Sequence, residues 1–442
     1  MASPAPVLDT PDPTTAELIA ARPHLSLHAR DGLLMEGVPL GQIAAAIGTP
    51  AWVYSAGAMR SRLKALQSAL GAVGAEVHYA VKANDHLAVL GVMAAGGAGA
   101  DVVSEGELMR ARAAGIDAGH IVFSGAGKTV GEIRRALEQD IAQINVESPA
   151  ELEMISAVAS AMGRTARVAL RINPDVDAGT HAKITTGTAE NKFGIQYDDA
   201  VALYAHAATL PGVQPVGLAL HIGSQILSTA PYRAAYARTA DMVHALRARG
   251  LSVERVDCGG GLGIGYRDEA DGSPAALAGV IQSTLGNLGV KLMVEPGRWL
   301  VGPAGVLLTS VVLTKDRFVV VDAAMNDLVR PAMYAAWHGI VPVGAAVATG
   351  KVAPVDVVGP ICESSDTFAR RRMLPALQEG NVVAILDAGA YGAVMSSTYN
   401  ARPLPPIAMI DGDKWAVIRE RQAMTALWAG ERVPDFIHSS GG

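Results

Sequence analysis

Cysteine is scarce in this chain of 442 residues, which has only Cys258 and Cys362. Two cysteines cannot form the disulfide framework of a small secreted protein, and their scarcity favours a reducing, cytoplasmic location. A surplus of basic residues is also missing, because the formal net charge is -6. A chain with this charge is poorly suited to nucleic acid or to an anionic membrane surface. We therefore predict neither of these partners.

Signals for secretion and membrane insertion are not found either. Residues 1–15 are rich in Pro, Ala and Asp and lack a basic region followed by an apolar stretch, so no signal peptide is predicted. The apolar stretch Leu87–Val103 contains small residues and a charge, and it is interpreted as helix, loop and strand rather than a membrane span. Residues 1–25 are interpreted as a flexible leader.

Motifs for nucleotides and metals are incomplete. Ser124–Thr129 resembles a P-loop, but G-x-x-x-x-G-K-[ST] requires a glycine where Val122 stands, so Lys128 is interpreted as an ordinary loop residue. The glycines around Gly261 do not satisfy the dinucleotide pattern G-x-G-x-x-G. The chain has no H-E-x-x-H and no clustered Cys and His, so no metal site is predicted.

What the chain does have is a long alternation of short apolar runs and amphipathic stretches. Its hydrophobic content of 50% allows a large core, and its length suggests two or more domains. Helices are predicted at Gly106–Ala114, Val130–Gln139 and Pro149–Ala161. About eight β/α units without a dinucleotide fingerprint predict a (β/α)8 barrel of the TIM type. The predicted strands are Val77–Val81, Ala100–Val103, Ile121–Phe123, Gln143–Val146, Val168–Ile172, Gly217–Leu220, Val253–Asp257 and Leu292–Val294.

The pattern changes after Arg298, where β-branched runs are separated by turn residues and helical periods are few. Residues 299–442 are therefore predicted to form a second, mostly antiparallel β domain. Gly32–Leu40 resembles a hairpin, so residues 26–52 are predicted to join that domain, which leaves residues 53–298 for the barrel. The predicted strands of the β domain are Gly305–Leu313, Phe318–Val321, Val341–Val347, Val355–Val358, Val382–Leu386, Ile407–Ile410 and Trp415–Ile418.

Four motifs follow predicted barrel strands directly. Lys82 follows the first strand, His221 the sixth, Gly259–Gly261 the seventh and Glu295 the eighth. Chemistry in such barrels lies at the carboxyl ends of the strands, so these residues are expected to share one mouth. Each also has an ordinary alternative: a salt bridge at the rim, a core histidine, a plain turn and a strand-end ion pair.

Together the motifs point to pyridoxal phosphate. A lysine amine such as that of Lys82 can form a Schiff base with an aldehyde cofactor. A carboxylate such as Glu295 would keep the pyridine nitrogen protonated, and His221 could stack on the ring or carry a proton. Glycines let backbone N–H groups approach a phosphate, and Ser224, Gly297 and the backbone of Arg298 could add donors.

Over residues 31–429 the chain resembles the diaminopimelate decarboxylases, a family of fold type III pyridoxal-phosphate enzymes. Two local departures are Glu105 and Ser365, where glycine is more usual in the family. The matching segments are Tyr79–Asn84, Asp101–Leu108, His181–Ile195, His221–Ile226, Cys258–Gly263, Glu295–Gly302, Asn326–His338, Gly359–Asp366 and Asp387–Pro403.

The resemblance implies a barrel with a β domain, and a homodimer whose active sites lie at the subunit interface. It implies that Lys82 carries pyridoxal phosphate and that His221 stacks on its ring. It also implies that Glu295 lies at the pyridine nitrogen. Cys362 and Glu363 would reach in from the other subunit, with Cys362 a candidate proton donor. The remaining residues expected around the cofactor are Ser224, Gly261, Pro296, Gly297, Arg298 and Tyr391.

The expected reaction is decarboxylation of meso-diaminopimelate to L-lysine and CO2, the last step of lysine biosynthesis. The far end of this substrate carries a carboxylate, which suits Arg298 and Arg330, and an ammonium, which suits Glu363. Tyr334 and Tyr391 are also predicted to contact the substrate.

Three alternatives remain open at this point. A related decarboxylase for ornithine, lysine, arginine or carboxynorspermidine is the first, although a simple diamine-forming member has no use for an arginine pair. An amino-acid racemase would place an arginine at the pyridine nitrogen, which Glu295 opposes. A non-catalytic pyridoxal-phosphate carrier would lack the β domain.

Overall fold

The computed structural model describes residues 12–177 and 193–438. Eight parallel strands form a closed barrel, because each pairs with the next and the last pairs with the first. Their side chains are mostly buried, as expected for strands covered by helices outside and packed within. All eight overlap the predicted strands. The barrel strands, first to eighth, are Ala75–Ala80, Gly99–Val102, Ile121–Phe123, Gln143–Val146, Ala166–Asn173, Val213–Ala219, Arg255–Asp257 and Lys291–Val294.

Eight helices accompany these strands, the first of them preceding the first strand. Their starts follow local chemistry: Ser148, for example, accepts a hydrogen bond from the Glu151 N–H at 3.2 Å, with Pro149 in the first turn. The three helices predicted from the sequence are present within one residue at either end. The helices are Ala56–Gly71, Leu87–Ala95, Glu105–Ala113, Val130–Glu138, Pro149–Ala161, Tyr197–Ala207, Ala230–Ala248 and Pro274–Thr284.

A second, mostly antiparallel sheet forms the other domain, so the predicted fold class is confirmed. The long strand Gly305–Lys315 pairs with three others in this sheet: Phe318–Val321, Val382–Ile385 and Ala51–Ser55. The strand Ile340–Pro342 pairs with Val382–Ile385. The remaining strands of this sheet are Val352–Val358, Thr367–Pro375, Ile407–Asp411 and Lys414–Arg419.

The strand Ala51–Ser55 lies inside this sheet, antiparallel to Gly305–Lys315 and parallel to Ile407–Asp411. It runs through the predicted limit between residues 52 and 53, so the sheet includes three residues that the prediction gave to the barrel. Two details of the predicted β domain were wrong. The run Val341–Val347 is divided into a strand and the short helix Ala345–Ala348. Thr367–Pro375, with three consecutive arginines, was missed as a strand.

The flexible leader predicted for residues 1–25 is corrected for residues 12–25, which are folded. Thr14 and Glu17 form a capping box at the start of the helix Thr15–Ala20. Leu18 of this helix is buried in an apolar cluster that includes residues of the β domain. Arg22 forms a buried ion pair with Asp387. This partner is 365 positions away, so no local pattern could indicate it.

The rest of the N-terminal segment also packs on the β domain. The predicted hairpin is present: Gly32–Met35 pairs with Val38–Pro39 and with Leu25–His28, and the helix Leu40–Ile47 follows. Residues 1–11 lie outside the described residues, as does most of the matching segment His181–Ile195, up to residue 192. Within the described ranges, no helix is both long and apolar enough to cross a bilayer. The remaining short helices are Arg298–Val301, Arg330–Tyr334 and Asp435–His438.

Candidate active site

Backbone hydrogen bonds join the strand ends that carry the four predicted motifs. The Gly260 N–H donates to His221 Nδ1 at 3.2 Å, which links the sixth and seventh strand ends. The Glu295 N–H donates to the Gly259 carbonyl at 2.8 Å, and the Ala80 N–H donates to the Pro296 carbonyl at 3.0 Å. The eighth strand end is thereby tied to the seventh and to the first. Lys82 follows Ala80 in a single 3-10 turn, so the motifs meet at one mouth.

Lys82 is held by a carboxylate that the sequence analysis did not single out. Its Nζ lies 2.5 Å from Asp101 Oδ2, on the second barrel strand. Asp101 is fully buried, and its Oδ1 has no hydrogen-bond partner in the described chain. Burial alone would lower the pKa of the Lys82 amine, but the charges of Asp101 and Glu295 outweigh it and raise that pKa. The sequence signal for the role of Asp101 in holding Lys82 was a carboxylate inside the otherwise apolar run Gly99–Val102.

Glu295 belongs to a cluster of buried carboxylates. Burial raises its pKa well above the usual range, and the charges of Asp101 and Asp257 raise it further. Its Oε1 accepts a long hydrogen bond, 3.5 Å, from the Ser124 hydroxyl. Within the described residues, Lys82 is the cation that acts on Glu295 against the charges of Asp101 and Asp257, so the cluster is short of positive charge. A protonated pyridine nitrogen beside Glu295 would correct that shortage and favour the ionised carboxylate.

His221 is a neutral ring in this setting. Burial lowers its pKa well below the usual range, and the positive charges of Arg171 and Lys82 lower it further. Because its Nδ1 accepts a hydrogen bond from Gly260, the ring proton is assigned to Nε2. A neutral imidazole with one nitrogen fixed suits stacking on an aromatic cofactor.

The glycine turn packs closely against the backbone of the neighbouring strand ends. A Cβ on Gly260 would lie 2.0 Å from the Glu295 carbonyl oxygen, and Gly259 and Gly261 have φ of +69° and +99°. Across the described residues, the backbone N–H groups of Gly261, Gly297 and Arg298 donate no hydrogen bond. Such donors are what a phosphate group requires. The residues present therefore fit pyridoxal phosphate at its ring and at its phosphate.

Two buried arginines face a cavity of about 420 Å³ beside His221. Arg298 donates to the Tyr266 hydroxyl at 2.7 Å and to the Ser224 hydroxyl at 3.0 Å. The Arg330 guanidinium lies 4.6 Å from the Tyr266 ring centre. The cavity is lined by His221, Ser224, Gln225, Tyr266, Glu269, Arg298, Arg330, Tyr334, Ala336, Trp337 and Tyr391.

Tyr266 and His338 are site residues that the sequence analysis missed. Tyr266 contacts both arginines, and His338 Nε2 lies 2.8 Å from Arg330 Nη1. His338 Nδ1 lies 2.8 Å from the Leu386 carbonyl, to which it donates, so Nε2 accepts from Arg330. Neither residue stands in a sequence pattern with its own chemistry, so no local signal indicated them.

Cys362 and Glu363 do not line the cavity of their own chain. They lie exposed in the loop between the strands Val352–Val358 and Thr367–Pro375. Glu363 accepts hydrogen bonds from the hydroxyls of Tyr399 and Ser365. The fold thus brings together the predicted barrel residues and Arg330, Tyr334 and Tyr391, but not these two.

Four features meet at one barrel mouth: a strand-end lysine, a buried carboxylate cluster, a neutral histidine and a glycine turn. This combination defines a pyridoxal-phosphate enzyme of the barrel class. Residues 56–302 match the family model described as pyridoxal-dependent decarboxylase, pyridoxal binding domain.

Individual relatives narrow this class. A diaminopimelate decarboxylase of Zymomonas mobilis is 46% identical over 92% of this chain and 98% of its own length. The structure of the Helicobacter pylori diaminopimelate decarboxylase complexed with L-lysine is 39% identical, with a TM-score of 0.86 over 88% of this chain and 98% of that one. The M. jannaschii enzyme in co-complex with L-lysine is 36% identical, with a TM-score of 0.89 over 94% and 99%. The chain belongs to the diaminopimelate decarboxylase family of pyridoxal-dependent decarboxylases, and its cofactor is pyridoxal phosphate.

Proposed function

We propose that this enzyme decarboxylates meso-diaminopimelate to L-lysine and CO2, the last step of lysine biosynthesis. The observation that carries the proposal is the pair Arg298 and Arg330, each only 6% exposed and facing one cavity with His221. The names of the relatives, and the L-lysine in two of the similar structures, support the same substrate class.

The arginine pair is suited to binding an anion. Both guanidinium groups donate, within the described residues, to neutral groups: the hydroxyls of Tyr266 and Ser224, and the ring of His338. Burying cations without a charged partner is costly, and a carboxylate held by both arginines would offset that cost. The distal carboxylate of meso-diaminopimelate supplies this anion. Ornithine and lysine, bound for decarboxylation, would place only an ammonium there, which two arginines would repel.

The chain's own residues divide the work of the reaction. Bound pyridoxal phosphate supplies the electron sink for the carbanion that remains when CO2 leaves. Lys82 would hold the cofactor, and the Glu295 carboxylate would keep the ring nitrogen protonated. His221 would cover the ring. The N–H groups of Gly261, Gly297 and Arg298 would hold the phosphate, with Ser224 and Tyr391 beside them. Pro296 shapes this turn by accepting the Ala80 N–H.

We further propose a homodimer with shared active sites, located in the cytoplasm. Cys362 and Glu363 are exposed and do not line their own cavity, which supports a role in the cavity of a second subunit. There Glu363 would pair with the distal ammonium, and Cys362 would return the proton to Cα. Lys82 with His221 is the other candidate for that proton, and Tyr334 would border the substrate.

The test uses protein saturated with pyridoxal phosphate and incubated with meso-diaminopimelate, while CO2 and lysine are measured. Equal amounts of both products are expected, with no reaction on L-ornithine or L-lysine. Arg330→Gln should lower kcat/KM, and Lys82→Ala should abolish turnover. Arg317→Gln, at a largely exposed arginine of the β domain, is the matched control. Turnover of ornithine or lysine in place of diaminopimelate would overturn the substrate assignment.

A further inference from the structure

The N-terminal strap, residues 12–22, has two charged side chains that contact the supports of the arginine pair: Arg22 contacts Tyr266, and Asp12 contacts Arg372. Asp12 lies at one end of the strap and Arg22 at the other. Arg22 is only 4% exposed, and the Asp12 side chain is 19% exposed. Since the strap precedes the barrel and most of the β domain in the chain, these contacts come from a part of the sequence remote from every catalytic motif.

The contacts of Asp12 lead to Arg330. Asp12 Oδ2 lies 3.1 Å from Arg372 Nε, and Asp12 Oδ1 lies 3.4 Å from Arg267 Nη2. Arg372 donates to the His338 carbonyl at 2.7 Å. The His338 ring is fixed at both nitrogens, by the Leu386 carbonyl and by Arg330. Asp12 therefore anchors Arg372, which holds the backbone carbonyl of His338, and the His338 ring contacts Arg330.

The contacts of Arg22 lead to Arg298. Arg22 Nη2 donates to the Tyr266 carbonyl at 3.3 Å, and the Tyr266 hydroxyl accepts from Arg298. Arg22 Nε also donates to both carboxylate oxygens of Asp387, at 2.9 and 3.0 Å. Asp387 begins the turn that ends at Tyr391, whose ring centre lies 4.8 Å from the Arg298 guanidinium. Arg22 thus supports Arg298 from two sides.

We propose that Asp12 and Arg22 of the N-terminal strap are positioning residues that orient Arg330 and Arg298 for the distal carboxylate of the substrate. This inference rests on the proposed function, because it assumes that the arginine pair binds a carboxylate. An arginine recognises a carboxylate through a planar fork of donors, so its orientation matters as much as its charge. Shifting its supports weakens recognition of that carboxylate while the decarboxylating centre stays intact.

Two ligands separate this role from a general contribution to folding. L-Lysine retains the carboxylate that the arginine pair would bind, and cadaverine is the same diamine chain without it. Both are tested as competitive inhibitors of the enzyme saturated with pyridoxal phosphate, alongside kcat and KM for meso-diaminopimelate. The variants are Asp12→Ala and Arg22→Lys, with Asp31→Ala as control. Asp31 is an acidic residue of the N-terminal region in an exposed pair with His28.

Asp12→Ala should raise the KM for meso-diaminopimelate and the inhibition constant of L-lysine by about fivefold or more, with kcat and the cadaverine constant within about twofold of wild type. Arg22→Lys should act in the same direction, because lysine keeps the charge but loses the fork. Asp31→Ala should match wild type. If Arg22→Lys does not fold because Asp387 is left poorly paired, Asp12→Ala still decides the question.

The possible failures are distinct. Equal weakening of L-lysine and cadaverine, or no change in either for Asp12→Ala, would overturn the positioning role. In both cases wild-type enzyme would still convert meso-diaminopimelate. A wild-type enzyme that releases neither lysine nor CO2 from that substrate would instead overturn the proposed function, and with it the basis of this inference.

Discussion

Removing one oxygen atom from Tyr266 tests the arginine pair most directly. The Tyr266 hydroxyl accepts a hydrogen bond from Arg298 Nη1 at 2.7 Å, and the two residues are 7% and 6% exposed. Tyr266→Phe deletes this acceptor but keeps the ring that packs against Arg330 and lies edge-on to His338, 5.3 Å between centroids. The change therefore isolates the orientation of a single guanidinium group.

The expected loss follows from the site. A buried hydrogen bond to a charged group contributes about 1.5–3 kcal/mol, and its donor has few alternatives here because Arg298 Nε already lacks a partner in the part of the chain described. Ser224 and Tyr391 still hold the guanidinium close to its position. We therefore expect the lower end of that range, or about a tenfold decrease in kcat/KM for meso-diaminopimelate. The decrease should come mainly from KM.

The assay is steady-state release of lysine, with thermal unfolding of each variant measured in parallel. Tyr204→Phe is the matched control, because the Tyr204 hydroxyl makes a comparable buried hydrogen bond, 2.7 Å to the Ser252 carbonyl, but does not line the cavity. Tyr204→Phe should lower stability and leave KM unchanged. If Tyr266→Phe has the same KM as this control, Arg298 does not depend on Tyr266 for its orientation and the reasoning fails.

Three further changes test the stability of the fold and the binding of the cofactor. Lys128→Met should lower the free energy of unfolding by about 3–5 kcal/mol, because Lys128 makes a buried ion pair with Glu151 and two hydrogen bonds to carbonyls, all at 2.7 Å. Gly260→Ala should weaken retention of pyridoxal phosphate by about tenfold or more, because the new methyl group displaces the turn. Glu107→Gln should stabilise the cofactor-free protein more at pH 8.5 than at pH 4.5. Burial raises the pKa of Glu107 from 4.5 to about 7, so the wild-type side chain stabilises the fold below pH 4.5 and loses that effect as pH rises through 7.

Each of these changes has its own control or contrary outcome. Lys64→Met, at an exposed lysine, should leave the melting temperature almost unchanged, and an equally small effect at Lys128 would contradict the buried ion pair. Gly279→Ala, where a methyl group meets no atom within 4 Å, should keep cofactor affinity. Normal affinity in Gly260→Ala would remove the crowding argument. If the difference in melting temperature between Glu107→Gln and the wild type does not depend on pH, burial does not raise the pKa of this carboxyl.

The barrel could be predicted from sequence because parallel strands covered on both faces are continuous apolar runs of regular spacing. Ile121–Phe123 and Gln143–Val146 were located to the residue. The same reasoning placed Lys82 and Glu295 at one mouth, because the topology brings every carboxyl strand end to the same face. Thr367–Pro375 could not be found in this way, since its three arginines break the apolar alternation that marks a strand.

The support of the arginine pair could not be predicted, because it depends on pairs of residues far apart in the chain. Arg22 and Asp387 are 365 positions apart, and Asp12 meets Arg372 across a similar separation. Arg22, Asp12 and Arg372 stand in no motif, and Asp387 begins the matching segment Asp387–Pro403 without indicating Arg22 as its partner. The Pro- and Ala-rich start of the chain has the composition of a leader. Charge patterns near the N-terminus reveal such a role only when their partners in the fold are known.

The carboxylate cluster at the barrel mouth explains why a cofactor with a protonated ring nitrogen suits this fold. Asp101, Asp257 and Glu295 form a buried cluster, of which Asp101 and Glu295 act on Lys82, and burial raises the pKa of Glu295 and of Asp257. Such a cluster costs folding free energy unless positive charge offsets it. A protonated pyridine ring at Glu295 provides that charge, so cofactor binding and protein stability should be coupled. The carboxylates that destabilise the cofactor-free enzyme therefore also favour the protonated pyridine nitrogen, on which the electron sink depends.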